Sequence, residues 1–256
     1  MSNDLSYVCI SLARAQGRRR GMAKQFAEHK LNVRFFDAVE LSSPVDTVPD
    51  YDTEGRLLRY GWPLSRGEVG CYLSHRAVWS ELVESSSEAW CILEDDITLL
   101  DGFETRTRAL FAGRAHWDIV RLMGLAKRPQ IEYATLSNDT KLMWMDDQPH
   151  GTQCYMITRK AAERMLKYTS KITHAIDIAL DRHWEHQQRL FITAPEFVAD
   201  QCVPTMIEDR AIIDHTDLRS VGQRMKAAYR RKVERLTKWH YNNMHRPTAS
   251  NTIKIT

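Results

Sequence analysis

The chain has 256 residues, of which 43% are hydrophobic and 27% are charged, and its formal net charge is +3. This length and composition indicate one domain, or a domain with an appendage, that buries a hydrophobic core, and they exclude a disordered, collagen-like or disulfide-rich protein. No apolar run approaches the roughly 18 residues of a membrane span, and the first residues lack the order of a signal peptide. We therefore expect a cytoplasmic protein whose five widely spaced cysteines are reduced.

Strand and helix patterns alternate along the first third of the chain. A short apolar strand over 7–12, a basic helix over 14–30 and a strand over 33–39 indicate a βαβ unit with a parallel strand pair. A long irregular loop, rich in Pro and Gly, is predicted over 42–64. A helix over 66–85 follows, because Ser65 and Glu68 have the spacing of a capping box.

The alternation continues in the rest of the chain. The pattern predicts strands over 90–93, 118–123, 153–158 and 190–194, with helices over 160–168 and 176–187. Because strands alternate with helices throughout, the sequence predicts an α/β fold with one mainly parallel sheet.

Three carboxylates follow directly on the apolar strand in WCILEDDITLL, at Glu94, Asp95 and Asp96. Ligands of open α/β sheets bind beyond the carboxyl ends of the strands. In an extended chain Glu94 and Asp96 share one face and Asp95 takes the other. Such a cluster suits a divalent cation that carries phosphates, but a solvated turn is the alternative, and these residues alone leave both open.

The C-terminal segment differs in charge from the rest of the chain. Residues 218–256 hold ten Lys or Arg and one acid, Glu234, whereas residues 1–217 hold 26 bases and 32 acids. Apolar residues in steps of three and four predict a long amphipathic helix over 218–243. We expect this helix to contact an anionic membrane surface, peripherally on the inner face of the cytoplasmic membrane; the alternative is a helix packed on the body with its bases in solvent. No motif for nucleic-acid binding accompanies the charge, so we expect no such partner.

Two segments together resemble a known family. They are LSRGEVGCYLSHRAVW at 64–79 and ILEDD at 92–96, and the opening CISLARAQGRRR and the later segments at 117–120 and 151–157 are similar as well. On these motifs the chain resembles glycosyltransferase family 25, the lipooligosaccharide galactosyltransferases, over about residues 6–204. It departs from the family pattern at Ser11, where an Asn is usual, and at 205–207.

The resemblance implies a fold, a reaction and a cofactor. The fold is of the GT-A type, a Rossmann-like nucleotide-binding half joined to an acceptor half, so we divide the chain into a GT-A domain at 1–204 and a C-terminal extension at 205–256 that carries the basic amphipathic helix. The reaction transfers a sugar, typically galactose, from a UDP-sugar to a hydroxyl of a lipooligosaccharide or another surface saccharide, with inversion. The cofactor is Mn²⁺ or Mg²⁺.

Residue roles follow from the resemblance and from what the chemistry requires. We expect Asp96, assisted by Glu94 or Asp95, to hold the metal, which acts as a Lewis acid on the diphosphate. The donor-binding residues are expected to be Ser11, Arg14, Arg19, Glu68, Gly70, Ser74, His75, Glu94 and Asp95. The alternatives are ordinary structural roles: the arginines form a solvated helix face, Glu68 serves only as a cap, and His75 is a core histidine.

Inverting transfer also needs a base and an acceptor site. Asp177, at the start of a predicted helix, is our candidate base; the alternatives are a plain helix cap at that position and the competing carboxylates Asp181 and Asp118. We expect Gly151, Thr152 and Trp144 to contact the acceptor. If the C-terminal helix binds a membrane, it would place the enzyme next to an acceptor that is linked to lipid. His215 is a further candidate metal ligand, with a solvated loop as the alternative.

Two other functions compete with a sugar transferase. A nucleotidyltransferase would also use carboxylates and a metal, but the glycine-rich phosphate loop that it needs near the first strand is missing. A degenerate GT-A binding module, acting through its basic C-terminal helix without turnover, is the non-enzymatic alternative. The intact acidic triplet favours the transferase, and Ser11 favours the degenerate module.

Overall fold

The computed structural model describes residues 5–136, 140–201 and 216–247, together with the backbone of 253–255. In chain order the elements are β1 (Ser6–Ser11), α1 (Gln16–Glu28), β2 (Val33–Asp37), α2 (Thr53–Tyr60), α3 (Arg66–Glu84), β3 (Ala89–Glu94), β4 (Ile97–Leu99), α4 (Phe103–Ala112), β5 (Ile119–Arg121), β6 (Gln130–Leu136), β7 (Lys141–Met145), β8 (Cys154–Thr158), α5 (Arg159–Tyr168), α6 (Ile176–Asp181), α7 (His183–His186), β9 (Leu190–Ala194), β10 (Val198–Asp200), α8 (Val221–His245) and β11 (Ile253–Ile255).

Nine strands form one sheet in the order β11-β6-β7-β9-β5-β8-β3-β1-β2, and β4 and β10 form a separate two-stranded sheet. The strand pairings give seven of the nine strands one direction, with β7 and β8 reversed. The α/β class and the mostly parallel sheet are therefore confirmed. The two reversed strands create antiparallel pairs in the middle of the sheet, a feature that the sequence pattern does not reveal.

Helices cover both faces of the sheet. Alternate strand residues point to opposite faces, and because the residues on both faces are apolar, each face packs against helices. In β1, Tyr7 and Cys9 join a core with residues from α1 and α4. Val8 and Ile10 join a second core with residues from α3, α5 and α6. The result is a three-layer arrangement that buries the sheet on both sides and leaves the strand ends to form a site.

Local signals explain where α2 and α3 begin. In α3 the Ser65 side chain accepts a hydrogen bond from the Glu68 backbone, and the Glu68 side chain accepts one from the Ser65 backbone, so the predicted capping box is confirmed. Helix α2 begins at an Asp52 cap and ends at Gly61 in the left-handed conformation. The expectation of an irregular loop over 42–64 is therefore wrong in part, since α2 lies within it.

Other boundaries also differ from the sequence pattern. The helix predicted over 176–187 is two short helices, α6 and α7, separated at Arg182. The sequence pattern did not indicate α4, β4, β6, β7, β10 or β11. The proposed domain boundary at 204/205, the family departure at 205–207 and His215 lie outside the described residues. In the described part of the chain, no helix has both the length and the apolar composition that crossing a bilayer requires.

Candidate functional site

A cavity of about 430 Å³ lies at the carboxyl ends of β1, β2 and β3, where the N-terminal half of α3 and the chain after β2 close it. This is the position at which open α/β sheets bind ligands. The side chains of the acidic triplet and of two basic residues from the β1–α1 region line it. Its polar lining residues are Ser11, Arg14, Arg18, Glu40, Ser42, Arg66, Cys71, Ser74, His75, Glu94, Asp95 and Asp96.

Glu94 is held at the cavity floor by two donors. Its Oε1 accepts hydrogen bonds from His75 Nε2 at 3.2 Å and from Thr152 Oγ1 at 2.5 Å. Burial would raise the pKa of Glu94, but the bonds from His75 and Thr152 outweigh burial and lower the pKa below its ordinary value. Glu94 is therefore a fixed carboxylate.

A buried relay fixes the orientation of His75. Trp79 Nε1 donates to the Tyr155 hydroxyl at 2.9 Å, and that hydroxyl lies 2.8 Å from His75 Nδ1. An indole can only donate, so the Tyr155 hydroxyl accepts from Trp79 and is left to donate its own proton to Nδ1. We therefore assign the proton of His75 to Nε2, where it points at Glu94. Each group in this series therefore donates to the next one, from Trp79 through Tyr155 and His75 to Glu94 in the cavity.

Asp95 is satisfied by the β1 region. Its Oδ2 accepts from Ser11 Oγ at 2.5 Å, and its Oδ1 accepts from Arg18 Nη1 at 2.8 Å. Because the chain bends after Glu94, all three carboxylates line the cavity, and the expected alternation between two faces does not continue past the strand. Ser11 therefore lines the cavity and also binds Asp95.

Asp96 differs from its two neighbours. Its Oδ1 is buried and has no hydrogen-bond partner within the described chain, and Arg18 Nη1 lies 4.0 Å from Oδ2. Burial, reinforced by the charge of Glu94, raises the pKa of Asp96 to about 7. A buried carboxylate oxygen without a donor is costly, and a cation would satisfy it.

The donor atoms fit a hard divalent cation. Asp96 and Glu94 present carboxylate oxygens, the ligands that Mg²⁺ and Mn²⁺ prefer. Cys71, His75 and Glu94 also bring potential ligand atoms within 4.8 Å of one another. Burial, however, raises the pKa of the Cys71 thiol well above its ordinary value, which disfavours the thiolate, and both ring nitrogens of His75 are already hydrogen-bonded. Asp96 and Glu94 therefore fit a divalent cation better than the group of Cys71, His75 and Glu94, because Asp96 Oδ1 has no partner among the described residues.

The structure separates the arginines that follow β1. Arg18 and Arg14 line the cavity; Arg14 also pairs with Glu40 at 2.6 Å. Arg19 does not line it, because its guanidinium binds the Ser11 carbonyl at 2.7 Å and Asp37 at 2.5 Å. The prediction that Arg19 lines the donor site is therefore not supported by the cavity lining, and its neighbour Arg18, which was not predicted there, contacts the acidic cluster.

Residues of α3 divide between the cavity and its support. Ser74 lines the cavity and fixes the chain after β2, since its Oγ accepts from the Val39 backbone at 2.8 Å. A side chain at Gly70 would place a Cβ 2.5 Å from the Val39 carbonyl, so this glycine permits close packing. Glu68 completes the capping box. Neither Gly70 nor Glu68 lines the cavity.

The expected acceptor residues Gly151 and Thr152 lie beside Glu94. Thr152 contacts Glu94 directly, and Gly151 adopts a left-handed φ of 81°. Arg121, buried beneath them, donates to the Gly151 carbonyl. Asp177 accepts from the Gly151 backbone at 3.3 Å, which brings the candidate base next to these residues, although it does not line the cavity itself.

Three other sequence candidates have structural partners. Asp181 forms a buried ion pair with Arg121 at 2.6 Å, and Asp118 binds the Arg189 side chain at 3.1 Å. Trp144 is buried in the core, where it stacks on Tyr241. Its ring therefore presents no open face to a sugar, and the assignment of Trp144 to acceptor binding is wrong.

The comparison with protein families agrees with this geometry. Residues 5–180 match the family model described as glycosyltransferase family 25 (LPS biosynthesis protein). The match covers well over half of the chain and includes every cavity-lining residue. The protein belongs to glycosyltransferase family 25.

Curated relatives carry different names within this family. The chain is 32% identical over 215 residues to the inactive glycosyltransferase 25 family member 3 of Mus musculus, covering 77% of this chain and 35% of the relative. It is 28% identical over 171 residues to the procollagen galactosyltransferase 1-B of Xenopus laevis, covering 61% and 27% respectively. The chain thus spans about a quarter to a third of these relatives. A solved glycosyltransferase involved in glycosylating the major capsid of PBCV-1 aligns over 80% of this chain and 95% of its own, at 10% identity and a TM-score of 0.37.

Proposed function

We propose that this chain transfers a sugar from a UDP-sugar to a hydroxyl of a saccharide acceptor, with a divalent metal and with inversion. The observation that carries the proposal is the buried Oδ1 of Asp96, which has no hydrogen-bond partner among the described residues and lies at the cavity beyond the strand ends. Family membership supports sugar transfer, and the name of the Xenopus relative supports galactose as the sugar.

The cavity residues suit a nucleotide diphosphate. Mn²⁺ or Mg²⁺, held by Asp96 and Glu94, would supply charge neutralisation to the diphosphate. Arg14 and Arg18 add guanidinium groups to the same cavity, and a guanidinium fork matches phosphate oxygens. The relay from Trp79 to His75 keeps Glu94 in one orientation, so the site needs little reorganisation when it binds its ligand.

The acceptor side of the proposal rests on Gly151, Thr152 and Asp177. Thr152 joins the acceptor side to Glu94, and the Gly151 backbone holds Asp177. In this proposal Asp177 takes the proton of the acceptor hydroxyl. The description of the family as an LPS biosynthesis group supports a surface saccharide as the acceptor.

We further propose the GT-A arrangement for this sheet. Strands β1, β2 and β3 with helices on both faces would form the nucleotide half. The β5–β9 region and the β6–β7 pair would form the acceptor half. The reversed β8 lies between the two halves, next to Glu94 and Thr152. A cytoplasmic location stays a prediction from the sequence.

The test combines binding and turnover. UDP-galactose, UDP-glucose, UDP-GlcNAc and GDP-mannose are titrated by calorimetry with and without Mn²⁺, and release of the nucleotide is followed with a saccharide acceptor. We expect one UDP-sugar to bind in a Mn²⁺-dependent manner. Asp96→Asn should lower transfer by roughly 100-fold or more, the loss typical of removing an electrostatic stabiliser.

Asp101→Asn is the matched control, because it removes the same charge from an exposed residue five positions along the chain. It should leave transfer unchanged. Equal activity of Asp96→Asn and Asp101→Asn would contradict the proposed site. Metal-dependent donor binding without any turnover would instead favour the degenerate binding module, for which the inactive relatives provide a precedent by name.

A further inference from the structure

Helix α8 and the residues before it carry a row of exposed apolar side chains. Among the described residues, nine large hydrophobic side chains are strongly exposed, and eight of them lie between 218 and 244. Their exposed fractions run from 43% to 76%. We name this set the apolar stripe: Leu218, Val221, Met225, Tyr229, Val233, Leu236, Trp239 and Met244.

The opposite side of α8 attaches the helix to the body. Ala227, Tyr241 and Asn242 are its buried residues. Glu234 forms ion pairs with Arg59 at 2.6 Å and Arg182 at 2.5 Å. At 3.6 residues per turn, these residues and the seven members of the apolar stripe that lie within α8 fall on opposite halves of the helix. The stripe therefore points away from the protein.

Basic side chains border the apolar stripe on both sides. Glu234 is the single acid of α8, and its ion pairs keep it on the packed face. The exposed surface of the helix is thus apolar and positively charged, and of its exposed bases Arg224 pairs with Asp217 at 3.4 Å, just before the helix. The exposed bases are Arg224, Lys226, Arg230, Arg231, Lys232 and Arg235.

We propose that the apolar stripe of α8 lies in the surface of an anionic lipid bilayer, with the flanking bases against the headgroups. An apolar face bordered by Lys and Arg is the composition of helices that lie in the membrane interface. Charge complementarity selects this occupant over a second copy of the chain. A symmetric dimer through the stripe would bring the same bases of both copies together, and like charges repel.

This proposal stands apart from the sugar-transfer proposal, since it involves none of the cavity residues. The experiment is sedimentation of the full chain with vesicles of phosphatidylcholine alone and of phosphatidylcholine mixed with phosphatidylglycerol, at low and high salt. We expect binding to the mixed vesicles, weakened by salt, and little binding to phosphatidylcholine. Failure to bind the mixed vesicles at low salt overturns the proposal.

Two variants separate the apolar and charged contributions. Met225→Ser with Leu236→Ser should weaken binding more than tenfold, because two side chains lose their burial in the bilayer. Arg231→Gln with Arg235→Gln should weaken it about fivefold for each base removed. All four residues are exposed, so the melting temperatures should stay close to that of the parent.

Matched controls lie elsewhere on the surface. Leu125→Ser changes the ninth exposed apolar residue, and Lys24→Gln with Lys160→Gln removes two exposed bases from other helices. These variants should bind the mixed vesicles like the parent. Equal losses in the controls and in the α8 variants would overturn the proposal, as would a change of oligomeric state in Met225→Ser with Leu236→Ser without any loss of vesicle binding, since that result would assign the stripe to a second copy.

Discussion

Two carboxylates of this protein, each with a buried oxygen atom, have opposite surroundings. Asp181 lies under the sheet, where its Oδ1 meets Arg121 at 2.6 Å and its Oδ2 accepts from the His150 backbone at 2.9 Å. Asp96 lies in the cavity, where its Oδ1 has no partner among the described residues. The first site is complete within the protein, whereas the second would be completed by the cation of our proposal. A carboxylate that is paired within the protein, as Asp181 is with Arg121, thus has a structural role. A carboxylate oxygen without such a pair, as at Asp96, is instead a candidate for binding a ligand.

The largest expected effect comes from breaking the completed pair. Arg121→Met leaves the Asp181 carboxylate buried without its cation, and removes the donor to the Gly151 carbonyl. We expect the free energy of unfolding, measured with urea, to fall by about 3–5 kcal/mol. The matched control is Arg108→Met, whose exposed pair with Glu104 should be worth at most about 1 kcal/mol. Equal effects in the two variants would show that the buried pair has no special weight.

The reverse effect is expected at Asp96. Its pKa of about 7 lies above its ordinary value, so between about pH 4 and pH 7 the folded state keeps a proton that the unfolded state has lost. Stability should therefore fall as the pH rises through this window, because ionised Asp96 is buried next to Glu94. Asp96→Asn removes this cost. Without metal, it should raise the free energy of unfolding by roughly 1–3 kcal/mol at pH 8 and by little at pH 5.

Urea unfolding of Asp96→Asn and Asp101→Asn at both pH values checks this expectation. The exposed Asp101 should show no such dependence on pH. Mn²⁺ should stabilise the parent protein and leave Asp96→Asn unchanged, since a ligand stabilises only the state that binds it. A destabilised Asp96→Asn at pH 8 would mean that Asp96 has a partner within the fold after all.

A smaller effect is expected from cutting the relay that holds Glu94. Tyr155→Phe leaves Trp79 Nε1 and His75 Nδ1 without a partner, so the free energy of unfolding should fall by about 1–2 kcal/mol. Metal-dependent binding of the donor should weaken as well, because His75 no longer has one fixed tautomer. Tyr133→Phe, a half-buried ring on β6, is the control. Unchanged donor binding in Tyr155→Phe would show that Glu94 holds its position without the relay.

The sequence was sufficient where the signal is local. Apart from α2, the elements from β1 to β3 are predicted because short apolar runs and one capping box mark them, and the acidic triplet is visible because its three residues are adjacent. Strands β6 and β7 were missed because their half-buried residues lack a clear alternation, and pairing across the sheet stabilises them.

The choice between neighbouring arginines shows a different limit. Consecutive residues of a helix point in directions that differ by about 100°. An error of one residue in the predicted start of α1 therefore changes which arginine, Arg18 or Arg19, is expected to face the cavity. Similarly, a sequence does not show whether a tryptophan packs inward, and Trp144 does. The relay from Trp79 through Tyr155 to His75 joins α3 to β8, and no spacing along the chain encodes such a contact.

Gly70 has a consequence for efforts to change what the cavity accepts. Any side chain there would collide with the Val39 carbonyl, a main-chain atom that yields only if the wall of the cavity moves. A mutagenesis library aimed at a new ligand for this cavity would therefore lose most of its folded members if it included position 70. Substitutions at 40–42 would change the same wall of the cavity through side chains, without moving the backbone. The loop after β2 is therefore the better target for changing what the cavity binds.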